Sequence, residues 1–239
     1  MELTYKPLTK RRRPHFQPLD ANLFVTFRLV DSIPNSVVRY YKAKRKGLRD
    51  QLRRSQGLAA EYDSPEIRNW REKIEQLDRE CFIKCEEIMH RHILGPTWLR
   101  DERIAEKVAE NLHRLDGELY RLDSFSIMSN HVHTVFKPLV DAADIEAILK
   151  AYESADERIP ALSKIMQAIK GRSARECNLF LARSGQFWEH ESFDHVIRAG
   201  RFDKTMRYVL NNPVKARLVD HWQEYRWNYC RKELMERFR

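Results

Sequence analysis

The sequence predicts an α+β fold in which helices back an antiparallel sheet, and three observations carry that expectation. Two runs rich in β-forming residues, YRLDSFSIM and HVHTVFKPL, flank the short polar break Ser129-Asn130, the pattern of an antiparallel hairpin. Apolar residues at helical spacing recur through the charged stretches on either side, and only 7 of 239 residues are glycine, well below the usual share of about 7%. The order of strand and helix signals does not indicate repeated parallel crossovers, so the strands are expected to close through hairpins.

Taken in order, residues 1–18 are basic and proline-punctuated (Lys10, Arg11, Arg12, Arg13, Pro14), which reads either as an extended arm or as a frayed terminus. Residues 19–239 read as a single domain. LFVTFRLV, Leu23 to Val30, alternates around Thr26 and Arg28 and predicts the first strand. Residues 35–93 then turn charged and helical, through Tyr40, Tyr41, Leu48 and Leu52 and, after Ser64-Pro65, through Ile67, Trp70, Ile74, Leu77, Phe82 and Ile88. This predicts an inserted helical hairpin. Asp101 can cap a helix that carries Ile104, Val108 and Leu112 on one face. After the strand hairpin, a helix is expected over Leu162–Leu181, a last strand over Phe193–Ile197, and a final helix from Phe202 to Asn211 that stops ahead of Pro213.

Composition narrows the partners. Lys and Arg number 44 against 35 acids, a formal charge of +9, which favours phosphate-bearing partners. No run approaches the roughly 18–20 apolar residues of a membrane span, and MELTYKPLTKRRRPHF lacks the apolar segment of a signal peptide. A soluble, cytoplasmic protein without a membrane partner is expected. Four cysteines do not make a disulfide scaffold in a chain of this size, and no nucleotide-binding loop is visible.

His131 and His133 stand two apart on a predicted strand, so both imidazoles share one face. Together they form half of a divalent-metal site, although His-x-His also arises from ordinary core or surface histidines. Tyr208 and Asn212 are four apart near the end of the last helix and share a face, offering a hydroxyl nucleophile and an amide oxygen ligand. The alternative is structural: Tyr208 in the core, Asn212 and Pro213 ending the helix. Cys81, Cys85, His90 and His92 lie within twelve residues, but their spacing is not that of a zinc knuckle, and helix packing accounts for them. Glu189, His190, Asp194 and His195 form a further polar cluster, of the residue types that orient a metal histidine or contact phosphate-bearing partners.

At these residues the sequence resembles a family. SIMSNHVHTVFKPL is similar to the His-hydrophobic-His hairpin of the single-tyrosine HUH transposases, and YVLNNPVKARLV to the tyrosine segment of their REP-associated branch. LFVTFRLVDSIP, WLRDERIAEKVAENLH, LSKIMQAIKGRSARE and SGQFWEHESFDHVIR resemble further segments of that branch in the same order, from about residue 20 to 230, with 35–93 the least specific part. The resemblance implies a ferredoxin-like sheet and a metal-dependent single-stranded DNA endonuclease and strand transferase that forms a 5′-phosphotyrosine and acts on REP-type hairpins. It implies Tyr208 as nucleophile, His131 and His133 as metal ligands, Asn212 as the third ligand, and Mg²⁺ or Mn²⁺ as the ion. The chain would act as a monomer or homodimer. Ser129 stands where the family usually has proline, a change expected to alter the turn and not the ligands.

DNA contact is expected from Lys170, Arg172 and Arg175 along one basic helix, and from Arg198, Lys204, Arg207 and Lys215 around the site; each is also compatible with a solvated face. Arg11, Arg12 and Arg13 could hold a hairpin stem. Phe187, Trp188 and Phe193 could stack on unpaired bases or lie in the core. The competing function is a non-catalytic DNA-hairpin-binding protein of the same fold. A third is a metal nuclease that uses water, with Tyr208 structural.

Overall fold

The computed structural model describes residues 21–58, 64–91, 94–139 and 160–239. The arm at Arg11, Arg12 and Arg13 lies outside them, as does His92. Five strands form one antiparallel sheet: β1 (Leu23–Arg28), β2 (Tyr120–Ile127), β3 (His131–Pro138), β4 (Phe193–Val196) and β5 (Asn228–Cys230), in the spatial order β4-β1-β3-β2-β5. The first four strands, with a helix after β1 and another after β3, have the ferredoxin-like order 4-1-3-2; β5 extends the β2 edge. The helices are α1 (Asn35–Leu58), α2 (Pro65–Arg91), α3 (Glu102–Arg114), α4 (Pro160–Phe180), α5 (Phe202–Leu210), α6 (Asn212–Lys215) and α7 (Lys232–Met235). None of the described helices is long and apolar enough to cross a membrane.

The period of two along each strand divides the sheet into two faces. Leu23, Val25 and Phe27 of β1, with Val132 and Phe136 of β3, pack against Ile104, Val108 and Leu112 of α3 and Ile165 and Ile169 of α4. Asp101 caps α3 as expected, its carboxylate accepting from the Arg103 backbone N–H at 3.0 Å. In β2 the register shifts between Leu122 and Ser124. That bulge lets Leu122 and then Phe125 and Ile127 meet the same core, while Ser124 and Ser126 turn to the other side. On the second face Phe24 and Val135 pack with Met206, Val209 and Leu210 around α5.

α1 and α2 form an antiparallel helix pair with a small core of its own, Leu52, Ile67 and Ile74 with Leu48 and Trp70. The C-terminal half of α2 then returns to the second sheet face, where Phe82 meets Phe24 edge-on, the ring centroids 5.7 Å apart. The pair leaves and rejoins the sheet through a narrow neck. Gly95 has φ +73°, and a Cβ there would stand 2.5 Å from the Asp31 carbonyl oxygen, so only glycine fits without displacing the backbone.

Candidate metal centre and tyrosine

His131 and His133 lie on the second face of β3, opposite Arg28 and Thr26 of β1, and both are fully buried. Their Nε2 atoms are 3.0 Å apart. Each ring is held from its other nitrogen. The Asn130 amide donates to the Met89 carbonyl at 3.1 Å, which leaves its oxygen to accept from His131 Nδ1–H at 2.7 Å and turns the His131 Nε2 lone pair inward. His133 Nδ1 is 2.7 Å from Thr26 Oγ1.

The third group comes from α2. Glu86 is 6% exposed, and its Oε2 lies 3.2 Å from His133 Nε2 and accepts a 2.7 Å hydrogen bond from the Tyr208 hydroxyl. Burial pushes the Glu86 carboxyl up, but the imidazoles of His133 and His131 and the Tyr208 hydroxyl more than offset it, holding the group well below the usual carboxylate range. Burial and the Glu86 charge together push the Tyr208 phenol well above its ordinary value.

Glu86, His131 and His133 each present a ligand atom within 4.8 Å of the others, and the donor set fits a divalent cation. Two ligands at right angles, each about 2.1 Å from a common ion, stand about 3.0 Å apart, which is the spacing of the two imidazole nitrogens. Three atoms bearing lone pairs at such distances repel one another unless a proton or a cation lies among them. Among the described residues Glu86 Oε1 is buried without a hydrogen-bond partner, a costly state for a polar atom that a bound ion or water relieves. Two imidazoles with carboxylate and amide oxygens suit Mg²⁺, Mn²⁺ or Zn²⁺ by ligand type.

Tyr208, on α5, is half-buried. Its ring meets His133 edge-on at 5.6 Å and Phe24 at 5.8 Å, and the Lys215 ammonium sits 4.1 Å over its centroid. Asn212 is fully buried. Its Nδ2 donates to the Tyr208 carbonyl at 2.9 Å, and its side chain lies beside His90 and Tyr208. Pro213 stands at the first turn of α6, where its missing N–H costs nothing.

The sequence reading therefore missed Glu86. It continues the inward stripe Ile74, Leu77, Phe82, Met89 of α2, and a carboxylate in such a stripe, with a histidine four residues on, was the available signal. The expected DNA-contact residues are dispersed. Arg172 and Arg175 are exposed on α4, across the sheet from the histidines, and Arg172 pairs with Glu176 at 2.8 Å. Lys170 is spent on the backbone, donating to the Glu189 and His190 carbonyls at 3.0 and 3.2 Å. Trp188 corrects the stacking expectation: it is 4% exposed, edge-on to Phe27, with its N–H on Ser173 Oγ at 2.9 Å. Phe187 is equally enclosed. Lys204 is exposed one turn before Tyr208, and Lys215 is exposed beside it. Arg207 is exposed and donates to the Arg237 carbonyl at 3.3 Å. Arg198 is exposed and pairs with Glu75 of α2 at 2.7 Å.

No family model matches the chain, and no curated protein matches it. Among solved structures, one of a REP-associated tyrosine transposase bound to a REP hairpin is similar at 11% identity and a TM-score of 0.37, covering 94% of this chain and 81% of that one. A likeness of that size gives no residue-level correspondence. What the chain holds on its own atoms is a ferredoxin-like sheet carrying a buried Glu-His-His cluster able to bind a metal, with a tyrosine hydroxyl hydrogen-bonded to its carboxylate.

Proposed function

We propose that the protein is a metal-dependent single-stranded DNA endonuclease and strand transferase of the single-tyrosine HUH type, with Tyr208 as nucleophile. One observation carries this reading: the Tyr208 hydroxyl lies 2.7 Å from Glu86 Oε2, itself 3.2 Å from His133 Nε2, so a nucleophile borders a cation site. The motif resemblance at SIMSNHVHTVFKPL and YVLNNPVKARLV supports the same reading. His131, His133 and Glu86 would hold the ion, with Asn212 as a further candidate ligand. When bound, a divalent cation supplies Lewis acidity toward a non-bridging phosphate oxygen.

The chain's own residues do the rest. Glu86 accepts the phenolic hydrogen bond, and each carboxylate oxygen has two lone pairs, so accepting that bond does not prevent ligation. Attack of the Tyr208 oxygen on the scissile phosphorus forms a tyrosine–phosphate bond and releases the phenolic proton, while the bond to the 3′-oxygen breaks and that oxygen takes up a proton and leaves as a hydroxyl. The ester retains the energy of the broken link, so a later 3′-hydroxyl can displace Tyr208 and rejoin the strand without a nucleotide cofactor. His131, His133 and Glu86 are all buried, and Tyr208 on α5 is half-buried beside them.

The test is a denaturing gel with end-labelled single-stranded and hairpin DNA in EDTA, Mg²⁺ or Mn²⁺. The expected result is a denaturant-resistant protein–DNA adduct that needs metal and vanishes in Tyr208→Phe. Free cut ends without an adduct would indicate water as nucleophile. Binding with neither adduct nor cleavage across a panel of hairpins would leave a DNA-binding protein.

A further inference from the structure

The excess positive charge of the chain is concentrated in one element that the sequence reading did not single out for binding. α1 carries eight Lys and Arg against one acid, Asp50, a net of +7 where the whole chain has +9. Arg39, Lys42, Lys46, Arg49 and Arg53 follow one another at spacings of three and four and so stand on one side of the helix. Leu48 and Leu52 mark a different side, packed on α2. Four of the five are exposed and Arg49 is half-buried. From first to last they span about 21 Å of straight helix.

Folding does not call for this arrangement, because like charges at these spacings repel and weaken a helix. Lys42 meets Glu191 at 2.9 Å and Arg53 meets Asp50 at 3.7 Å, both between well-exposed side chains, and such pairs open at little cost. Arg45, off this face, bridges to Asp78 of α2 at 3.1 Å, fastening α1 to the helix that carries Glu86.

We propose that this face of α1 binds the phosphate backbone of duplex nucleic acid. A rigid row of cations matches a polyanion of fixed spacing. Single strands are held chiefly by stacking on aromatic side chains, and Tyr40 is the one exposed large aromatic on the described part of α1. An anionic membrane would need an apolar side of the helix to insert, and that side is already buried against α2. That the duplex adjoins the strand cut at Tyr208 rests on the function proposed above; the surface itself does not.

The experiment measures affinity by fluorescence anisotropy for a 20-base-pair duplex, a 20-nucleotide dT strand and phosphatidylserine vesicles, in EDTA and at several salt concentrations. It compares the intact protein with Arg39→Gln/Lys42→Gln/Lys46→Gln/Arg53→Gln and with Lys164→Gln on α4, the helix packed on the other face of the sheet. The α1 variant is expected to lose at least about tenfold in duplex affinity, with its salt slope reduced by about 3 to 4, since each phosphate contact contributes about 0.9. The α4 variant should change duplex affinity by less than about threefold. Should the fourfold variant not fold, Lys46→Gln and Arg39→Gln alone should each lower the slope by about 1. Unchanged duplex binding, an equal loss from the α4 variant, an equal loss on dT, or a loss seen with vesicles alone would overturn the assignment. Absence of any Tyr208 adduct in the intact protein would overturn only the strand-transfer reading.

Discussion

One sheet serves two different purposes on its two faces. Toward α3 and α4, Phe27, Leu122, Val108 and Ile165 are fully buried among other apolar side chains. There the Tyr120 hydroxyl reaches the Leu112 carbonyl at 2.8 Å and Trp188 reaches Ser173. Toward α2 and α5 the same strands bury His131, His133, Glu86 and Asn212, and Glu86 Oε1 has no hydrogen-bond partner among the described residues. Buried polar groups left so cost free energy. The first face supplies the stability that the second consumes, and side chains that weaken a fold yet stay in register mark a functional site.

The contrast breaks most visibly on the apolar side. Phe27→Ala should cost about 3–5 kcal/mol in urea unfolding and leave metal affinity, read by calorimetry with Mn²⁺, nearly intact. A loss below 1 kcal/mol would mean that this face is not the stabilising one. Next in size, Glu86→Gln should lower Mn²⁺ affinity by more than about 100-fold, beyond the roughly 10–100-fold typical of outer partners, while the urea midpoint in EDTA barely moves. Unaltered affinity would remove Glu86 from the ligand set. Asn130→Ala should cost about 10–100-fold in the same titration by freeing the His131 ring, and Asn130→Asp, which keeps an acceptor, should recover most of it.

The smallest effect concerns a charge at the margin of the apolar layer. Burial, with a contribution from Arg28, lowers Lys170 to about 8 from its ordinary 10.5. The unfolded chain therefore holds this proton more tightly, and the folded state bears the full penalty below pH 8. Stability should rise by about 1–2 kcal/mol between pH 8 and 10.5 as the penalty is relieved. Lys170→Met should flatten that rise in urea titrations; an equal rise in the variant would assign it to other groups.

Much of the frame was legible in the sequence because it rests on short-range periodicity. Alternation around Thr26, the break at Ser129-Asn130 and the stripe Ile104, Val108, Leu112 each fix an element and its inward side. The pairing of His131 with His133 on one face followed from the same period of two. β5 was missed because Asn228–Cys230 is three residues long and carries no alternation to detect. Glu86 was missed because a helical stripe says which side is buried, not what lies beneath it. That Arg172 and Arg175 stand across the sheet from the histidines was not legible for the same reason: a basic helix does not record which side of a sheet it will cover. Trp188 could serve equally as core or as stacking platform by residue type, and only packing against Phe27 decides.

The neck at Asp31 and Gly95 has a consequence for descent. Because the two ends of the α1–α2 pair touch, the pair can be gained, exchanged or deleted with little change in the path of β1 or α3. Glu86 and the cationic row of α1 lie together on that one helix pair, whereas the histidines and Tyr208 belong to the sheet and to a later helix. In a chain without the pair, Glu86 and the cationic row would be lost in a single event, and another residue would have to stand beside His131 and His133 in its place.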